Sequence, residues 1–383
     1  MTTQPPAESN FGPERAGPQP ESKTARPIPD LRQDAYTTDE ALEAFESLLL
    51  TAATAPVSGN LLEHPLVLVQ GAKALIGLAP DRPSQALMQA ALGFCADLTW
   101  SPFERERLVG DPEQLGLTVS VADFEDALAD GDGEAAIAQL GRILMVSDSR
   151  QFLFDILLEQ AARDPRRATT LLPFVHSCQR AYYFVGHLNL GEFIIPALEA
   201  VAAEPLAARV QGDTVQRDTV RSDTVTPWDV LERLPAGPPE LLLLTAHAAQ
   251  IMADEHVKAA ALSDRLGRTL AALTADLSAT ATATVFEGTP AELLAAARAG
   301  ETERSSGIGR HLAQSGDRGW ILEVLEIASD EAAGEISPQL LLWADATRML
   351  LRVAPEEERE SVGAVVAGQL VGVIAQMLPS GTN

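Results

Sequence analysis

Apolar residues recur along most of this chain at spacings of three and four, which is the period of a helix with one buried face. Late in the chain, such a series runs through Val362, Val366, Leu370, Val373 and Met377. Alternating strand-type patterns bounded by hairpin turns are almost absent. The pattern therefore predicts an all-α protein.

Helix starts are marked by local signals. Residues 289–292, Thr-Pro-Ala-Glu, have the form of a capping box with proline at the first helical position, and they predict a helix through about Arg298. Ser337-Pro338 and Ala354-Pro355 predict two further starts.

Two segments far apart in the chain share one pattern. Residues 141–150 and 309–318 both read G-R-x-L-x-x-S-x-x-R, at an offset of 168 residues. The same offset lays Phe-Leu-Phe-Asp-Ile-Leu (152–157) on Trp-Ile-Leu-Glu-Val-Leu (320–325). We predict two tandem copies of a helical unit, built from helical hairpins and packed as a pseudo-two-fold pair.

Composition shifts place the unit boundaries. A tail at 1–34 is rich in Pro, Gln, Ser and Glu and is predicted to be disordered. The first repeat unit is expected at 35–204, a linker at 205–238, the second unit at 239–378 and a short tail at 379–383. The linker contains three D-T-V tripeptides at five-residue spacing, which is typical of an expanded loop.

Charge and cysteine usage bound the environment. The net charge of −26 repels phosphate backbones and anionic headgroups, so we expect no nucleic acid and no membrane surface as partner. The only cysteines, Cys95 and Cys178, lie in apolar stretches without metal-like spacing, and we expect buried reduced thiols. With no signal-peptide pattern at the start, a cytoplasmic location is predicted.

No sequence motif names a reaction. The chain contains no GxxxxGK[ST], no GxSxG and no HExxH, and no Gly-rich dinucleotide fingerprint. Whether the protein is an enzyme therefore stays open at this point.

The most unusual local feature is a polar stripe on an apolar helix. His176, Arg180, Tyr183 and His187 follow one another at spacings of four, three and four, with Gln179 beside them. Burial of such groups is costly without partners, so they either converge on a pocket or meet water. A structural role and a ligand or catalytic site are both compatible with this pattern.

Comparison of the two copies separates these residues. At the 168-residue offset only the arginine of the stripe recurs, because Arg180 corresponds to Arg348. We therefore expect each arginine to bond carbonyls or a carboxylate within its own unit. His176, Tyr183 and His187 belong to one copy alone, which makes them the better candidates for function.

His247 lies in another strongly apolar stretch, with Asp254 seven residues later on the same helix face. One interpretation is a buried histidine paired with this carboxylate. The other is a cluster of His176, His187 and His247 with Asp254 or a glutamate, which would suit iron or zinc.

Two stretches carry a resemblance to known proteins. Residues 152–164, followed by Phe-Val-His at 174–176, and His64-Pro65 before an apolar helix resemble uncharacterised all-helical bacterial proteins, some fused to Rieske iron–sulfur domains. That group is similar to the questin-oxidase-like proteins, which oxidise polycyclic aromatic metabolites. The chain has no Rieske Cys/His motif, hence no cluster of its own. The resemblance implies a site that includes His64, His176 and His247.

Two functions follow as hypotheses. The first is a helical oxidoreductase or small-molecule-binding protein that holds an apolar or aromatic metabolite between the two units. Its catalytic candidates are His176, Tyr183 and His247, and its ligand-binding candidates are His64, Gln179, Arg180 and His187. The alternative is a non-catalytic helical scaffold or adaptor that binds a protein partner.

Overall fold

The protein is all-helical over the residues that the structure, a computed structural model, describes. These are 36–100, 119–146, 150–203, 225–231, 233–234, 239–254, 260–275, 277, 284–332 and 334–377. Sixteen α-helices and no strand occur in these ranges, so the predicted fold class is confirmed. The predicted tails and the D-T-V tract lie outside the described residues.

Eight helices form the first part of the chain. They are α1 (Thr38–Ala52), α2 (Pro65–Ile76), α3 (Gln85–Phe94), α4 (Val121–Asp130), α5 (Gly133–Val146), α6 (Gln151–Ala161), α7 (Pro165–Val185) and α8 (Leu190–Ala202).

Eight more follow. They are α9 (Pro227–Leu231), α10 (Pro239–Ala253), α11 (Ala260–Thr274), α12 (Pro290–Arg298), α13 (Thr302–Gln314), α14 (Gly319–Glu331), α15 (Pro338–Val353) and α16 (Arg359–Met377).

Two of the three predicted helix starts are confirmed. At α12 the capping box is complete, because Thr289 Oγ1 accepts from the Glu292 N–H and the Glu292 carboxylate accepts from the Thr289 N–H. Helix α15 begins at Pro338. The third start is displaced, because Pro355 is extended (ψ 153°) and caps a 3₁₀ turn, Glu356–Glu358, which leads directly into α16.

Four helices form the centre of the protein. Helices α2, α7, α10 and α15 contact one another in a ring, α2 with α7 and α15, and α10 with α7 and α15. In α7 every residue from Leu171 to Gln179 is buried, and in α10 every residue from Leu241 to Ala249. Helices that are buried all round lie inside a core, and polar groups on them must find partners there.

The outer helices follow one order on both sides of this centre. Helix α6 begins at Gln151 and α14 at Gly319, which repeats the 168-residue offset of the sequence. Helix α5 contacts α4 and α8, and correspondingly α13 contacts α12 and α16. These helices thus follow one order in the two parts and have some contacts in common.

Helices α13 and α16 approach each other closely at two glycines. A Cβ at Gly309 would overlap the Ala367 Cβ and the Gly363 carbonyl oxygen, and a Cβ at Gly363 would overlap the Gly309 carbonyl oxygen. Gly309 is the first residue of the second G-R-x-L segment, so this close packing explains why that segment needs glycine here.

The last helix and the cysteines are core elements. The stretch Glu356–Met377 is long and apolar enough to cross a membrane by composition, but 61% of its most apolar window is buried inside the protein. Cys95 and Cys178 are free and buried, and burial raises the pKa of the Cys95 thiol to about 12. Both thiols therefore act as small apolar side chains, as predicted.

Candidate functional site

The centre of the four-helix ring holds a polar group. His176 and Arg180 extend from α7, His247 from α10, and Asp345 and Arg348 from α15. All five belong to buried or nearly buried positions. The sequence candidates His176, Arg180 and His247 are thus brought together by the fold.

The two histidines bond directly to each other. His176 Nδ1 lies 2.8 Å from His247 Nδ1, and the rings meet edge to face with their centroids 5.0 Å apart. One Nδ1 must donate and the other accept, so neutral rings of opposite tautomers fit this contact. Burial lowers the pKa of both histidines. The neighbouring His247 lowers the pKa of His176 further, and Arg180 adds to the effect of burial on His247, whose pKa falls to about 3.

The predicted pairing of His247 with Asp254 is therefore wrong. The buried face of α10 at His247 packs against α7, which supplies His176 as the partner. Asp254 follows the end of α10 and instead interacts electrostatically with Asp155 and Tyr183.

Asp345 is held between two arginines. Its Oδ2 lies 3.1 Å from Arg180 Nη1, and its Oδ1 accepts from Arg348 Nε at 2.8 Å. Burial alone would raise the pKa of Asp345, but Arg180 and Arg348 outweigh it and hold this pKa at about 2. The expectation that each arginine bonds within its own unit is wrong for Arg180, which crosses from α7 to α15.

Lys73 of α2 completes the charged group. Its Nζ lies 4.1 Å from the centroid of the Phe184 ring, a cation–π contact. Burial, then Arg180 and Arg348, lower the pKa of Lys73 to about 7. Sequence reasoning missed Lys73 and Asp345, although a lone charge within an apolar helix, as in Pro65–Ile76, is a usable signal.

Tyr183 lies in a different environment. It is 42% exposed, its hydroxyl bonds to Gln179, and burial together with Asp155 and Asp254 raises its pKa to about 12. Burial and Asp254 also raise the pKa of Asp155 to about 6. Seven residues separate Tyr183 from His176, which is about 10 Å along a helix, and the structure does not bring Tyr183 to the histidine pair.

His64 is a capping residue. Its Nδ1 accepts from the Leu66 N–H and its Nε2 donates to the Ala55 carbonyl, both at 3.2 Å. Its ring also meets Phe174 edge to face. Since both ring nitrogens bond to the backbone, His64 fixes the start of α2. The side chain of the remaining candidate, His187, lies outside the described part of the structure.

The histidine pair has hydrogen-bonding and not chelating geometry. Two nitrogens on one tetrahedral zinc would lie about 3.3 Å apart, given bonds of about 2.0–2.1 Å, whereas the two Nδ1 atoms are 2.8 Å apart. Within the described ranges, no group of three or more His, Cys, Asp or Glu is placed to hold a metal ion. The predicted set of His176, His187 and His247 with Asp254 or a glutamate includes the His187 side chain, which lies outside the described residues, and it therefore stays a prediction.

A cavity of about 150 Å³ lies one helical turn from this polar group. It is bounded by α10, α15, α16 and the 3₁₀ turn Leu61–Glu63, so both parts of the chain contribute to it. Its apolar wall consists of Leu62, Leu242, Leu243, Leu342, Trp343, Ala346 and Val373. Leu243 precedes His247 by one turn of α10, and Ala346 follows Asp345 directly.

Acidic and amide side chains complete the lining of the cavity. Glu63 and Glu240 supply carboxylates, and Asn60, Gln339, Gln369 and Gln376 supply amides. Among the described residues that line it there is no Arg, Lys or His. The Trp343 indole N–H donates to the Val366 carbonyl at 2.7 Å, which fixes this wall.

Comparisons with family models, with curated proteins and with solved structures found no match for this chain.

Proposed function

We propose that the protein binds a small molecule with an apolar body and a cationic group in the cavity between its two parts. The observation that carries the proposal is the composition of the lining, an apolar wall with carboxylates and amides and no basic side chain among the described residues. Such convergence of apolar walls with a few polar groups is typical of ligand sites.

The size of the cavity limits the ligand body. An engineered apolar cavity of about 150 Å³ takes up benzene, and the cavity here has a similar volume of about 150 Å³. A single aromatic ring or a branched aliphatic group fits this space. The Trp343 indole in the wall favours a flat ring.

The acidic residues select the charge of the ligand. Glu63 and Glu240 are both solvent-exposed, and Gln339 Nε2 donates to Glu63 Oε1 at 3.4 Å, which leaves Oε2 for a ligand ammonium group. The net charge of −26 adds a long-range attraction for cations. Exposed ion pairs are weak, so the apolar wall supplies most of the affinity and the carboxylates supply selectivity.

The histidine pair supports the cavity in this proposal. Neither His176 nor His247 lines it, so their role is to hold α7 and α10 together beneath the wall. The proposal is for binding of the molecule and not for its oxidation, which only the resemblance to the questin-oxidase-like proteins implies. A cytoplasmic location is part of the proposal.

We also propose that the two parts arose as copies of one helical unit. The common helix order, the repeated contacts of α5 and α13 and the 168-residue offset support this. A ligand site between two such copies would be lined by residues of both, and the lining of this cavity does come from both parts of the chain.

Calorimetric titration with three ligands of one shape tests the proposed function. Benzylamine, benzyl alcohol and phenylacetate share a ring and differ in charge. At low ionic strength we expect benzylamine to bind most tightly and phenylacetate least. The substitution Glu240→Gln should weaken benzylamine roughly twofold to fivefold and leave benzyl alcohol unchanged. Its control is Glu326→Gln, an exposed carboxylate on α14. Equal affinities for the amine and the acid would overturn the proposal.

A further inference from the structure

A second cavity, of about 140 Å³, is lined by three arginines. Arg318 lies at the start of α14, Arg352 in the last turn of α15, and Arg359 at the start of α16. The remaining lining residues are Ala313, Gly316, Asp317 and Leu351. Three separate elements therefore direct guanidinium groups to one place.

The three cations crowd one another. Gly316 has a left-handed backbone (φ +70°), and a Cβ there would lie 3.7 Å from Arg359 Nη1, so this turn passes beneath the Arg359 guanidinium. Burial and then the charges of Arg348, Arg352 and Arg359 lower the pKa of Arg318. Like charges lining one cavity repel unless something between them is negative.

No carboxylate in the described part of the chain lies within 4.0 Å of the guanidinium groups of Arg318, Arg352 or Arg359. Asp317 is the one carboxylate among the described lining residues, and its Oδ1 already accepts from the Gly319 N–H at 2.8 Å.

The charged side chains next to these three arginines have other partners or face solvent. Glu360 pairs with Arg310 of α13 at 4.0 Å, and Glu356 and Glu357 are exposed. Arg348, one turn before Arg352 on α15, pairs with Asp345, which it shares with Arg180. The cluster of Arg318, Arg352 and Arg359, with Asp317 as the one carboxylate among its described lining residues, thus stands out as a positive site in a chain of net charge −26.

We infer that this cavity binds a phosphate group, either as free phosphate or as the end of a small phosphomonoester. Three guanidinium cations against one carboxylate leave two positive charges, which match a phosphate dianion. The planar fork of arginine bonds two oxygens of such a group at once. A volume of about 140 Å³ accommodates a phosphate group.

The cluster is particular to this part of the chain. At the 168-residue offset, Arg352 and Arg359 correspond to Phe184 and Gly191, so the first part lacks two of the three arginines. The site is also independent of the proposed amine-binding cavity, with which it shares no lining residue.

Titration with inorganic phosphate tests the inference, by calorimetry at an ionic strength held constant with sodium chloride. The variants Arg352→Gln and Arg359→Gln should each weaken binding about tenfold or more, since each removes charged hydrogen bonds to the anion. Arg82→Gln is the matched control, because it makes the same charge change at an exposed arginine far along the chain.

Several outcomes would overturn the inference. One is that the parent protein binds neither phosphate nor glycerol phosphate. Another is that Arg82→Gln weakens phosphate binding as much as the two cavity variants do. The third is that chloride alone abolishes phosphate binding at constant ionic strength. Glycerol phosphate that binds more tightly than phosphate supports a phosphomonoester ligand, and equal affinity supports free phosphate. Glu240→Gln should leave either affinity unchanged, which separates this test from that of the proposed function.

Discussion

His176 and His247 share a hydrogen bond across the centre of the protein, with their Nδ1 atoms 2.8 Å apart. The two residues are 71 positions apart in the chain and lie on α7 and α10. Each imidazole satisfies the other inside the core, and the bond requires the accepting ring to be neutral, while burial favours the neutral form of both rings. This gives the stability of the protein a defined dependence on pH.

We expect the substitution His247→Gln to flatten the acid side of the stability profile. An unfolded histidine has a pKa of about 6.5, whereas burial and Arg180 lower the pKa of His247 to about 3. Below pH 6.5 the unfolded chain therefore binds protons that the native state excludes, and stability falls as the pH drops from 6.5 toward 3. Above pH 6.5 this contribution is constant.

Thermal unfolding of the parent and the variant between pH 4 and pH 8 checks this. At pH 7.5 the variant should lose about 1–3 kcal/mol, because His176 is left without its partner. The difference in stability between the parent and the variant should narrow as the pH falls to 4. Equal losses of stability in the parent and the variant as the pH falls would contradict the account. The control is His311→Gln, at a partly exposed position on α13.

Loss of the Asp345 carboxylate should be the most damaging single change in the polar centre. Asp345→Asn leaves Arg180 and Arg348 buried with no counter-charge, which costs about 3–5 kcal/mol in comparable buried pairs. Urea unfolding at pH 7.5 measures this, with the exposed Asp330→Asn as control. Equal midpoints for the two variants would show that the arginines find other partners.

Asp155→Asn should stabilise the protein near neutral pH. Burial and Asp254 raise the pKa of Asp155 to about 6, and its Oδ1 is buried without a hydrogen-bond partner in the described structure. A raised pKa favours the native state while the group is protonated, and this stabilisation is lost as the pH rises through 6.

The expected gain is therefore present at pH 7.5 and absent at pH 4. Since Asp155 is only partly buried, the rise in melting temperature should be small, about 1–2 °C. Differential scanning calorimetry at the two pH values tests it. A variant that melts lower at pH 7.5 would show that the ionised carboxylate is instead stabilising.

Two glycines of the second part should respond in opposite directions to alanine. Gly309→Ala places a Cβ against Ala367 and the Gly363 carbonyl, and such overpacking costs about 1–3 kcal/mol. Gly372→Ala, in α16, meets no atom within 4 Å and should gain up to about 1 kcal/mol from helix propensity. Chemical unfolding of both variants checks the pair, and equal effects would argue against close contact of α13 and α16.

The helical content was predictable because it depends on local pattern. The capping box at Thr289 and the proline at Pro338 each define a helix start through bonds within four residues. At Pro355 the same type of signal marks a 3₁₀ turn, Glu356–Glu358, and the α-helix itself begins one turn later at Arg359.

The partners in the polar centre were not predictable in the same way. The spacing of His176 and Arg180 placed both on one helix face, but their partners His247 and Asp345 come from α10 and α15. Such pairings depend on how helices pack, which a single sequence does not encode locally. For the same reason Tyr183, although in register with the stripe, lies outside the centre.

The arginine cluster also could not be predicted from the sequence. Arg318, Arg352 and Arg359 have no common spacing in the sequence, and only the turn at Gly316 and the ends of α15 and α16 bring them together.

The binding of benzylamine to a variant with a filled cavity tests the central claim most directly. Ala346 is buried in the cavity wall, and Ala346→Leu occupies space that the ligand ring needs. Ala295→Leu makes the same change at an exposed position on α12 and serves as control. Calorimetry should show benzylamine binding to the parent and to Ala295→Leu. Binding to a folded Ala346→Leu protein should be at least about tenfold weaker. The opposite change is Leu342→Ala, which enlarges the cavity. Undiminished binding by a folded Ala346→Leu protein would contradict the account.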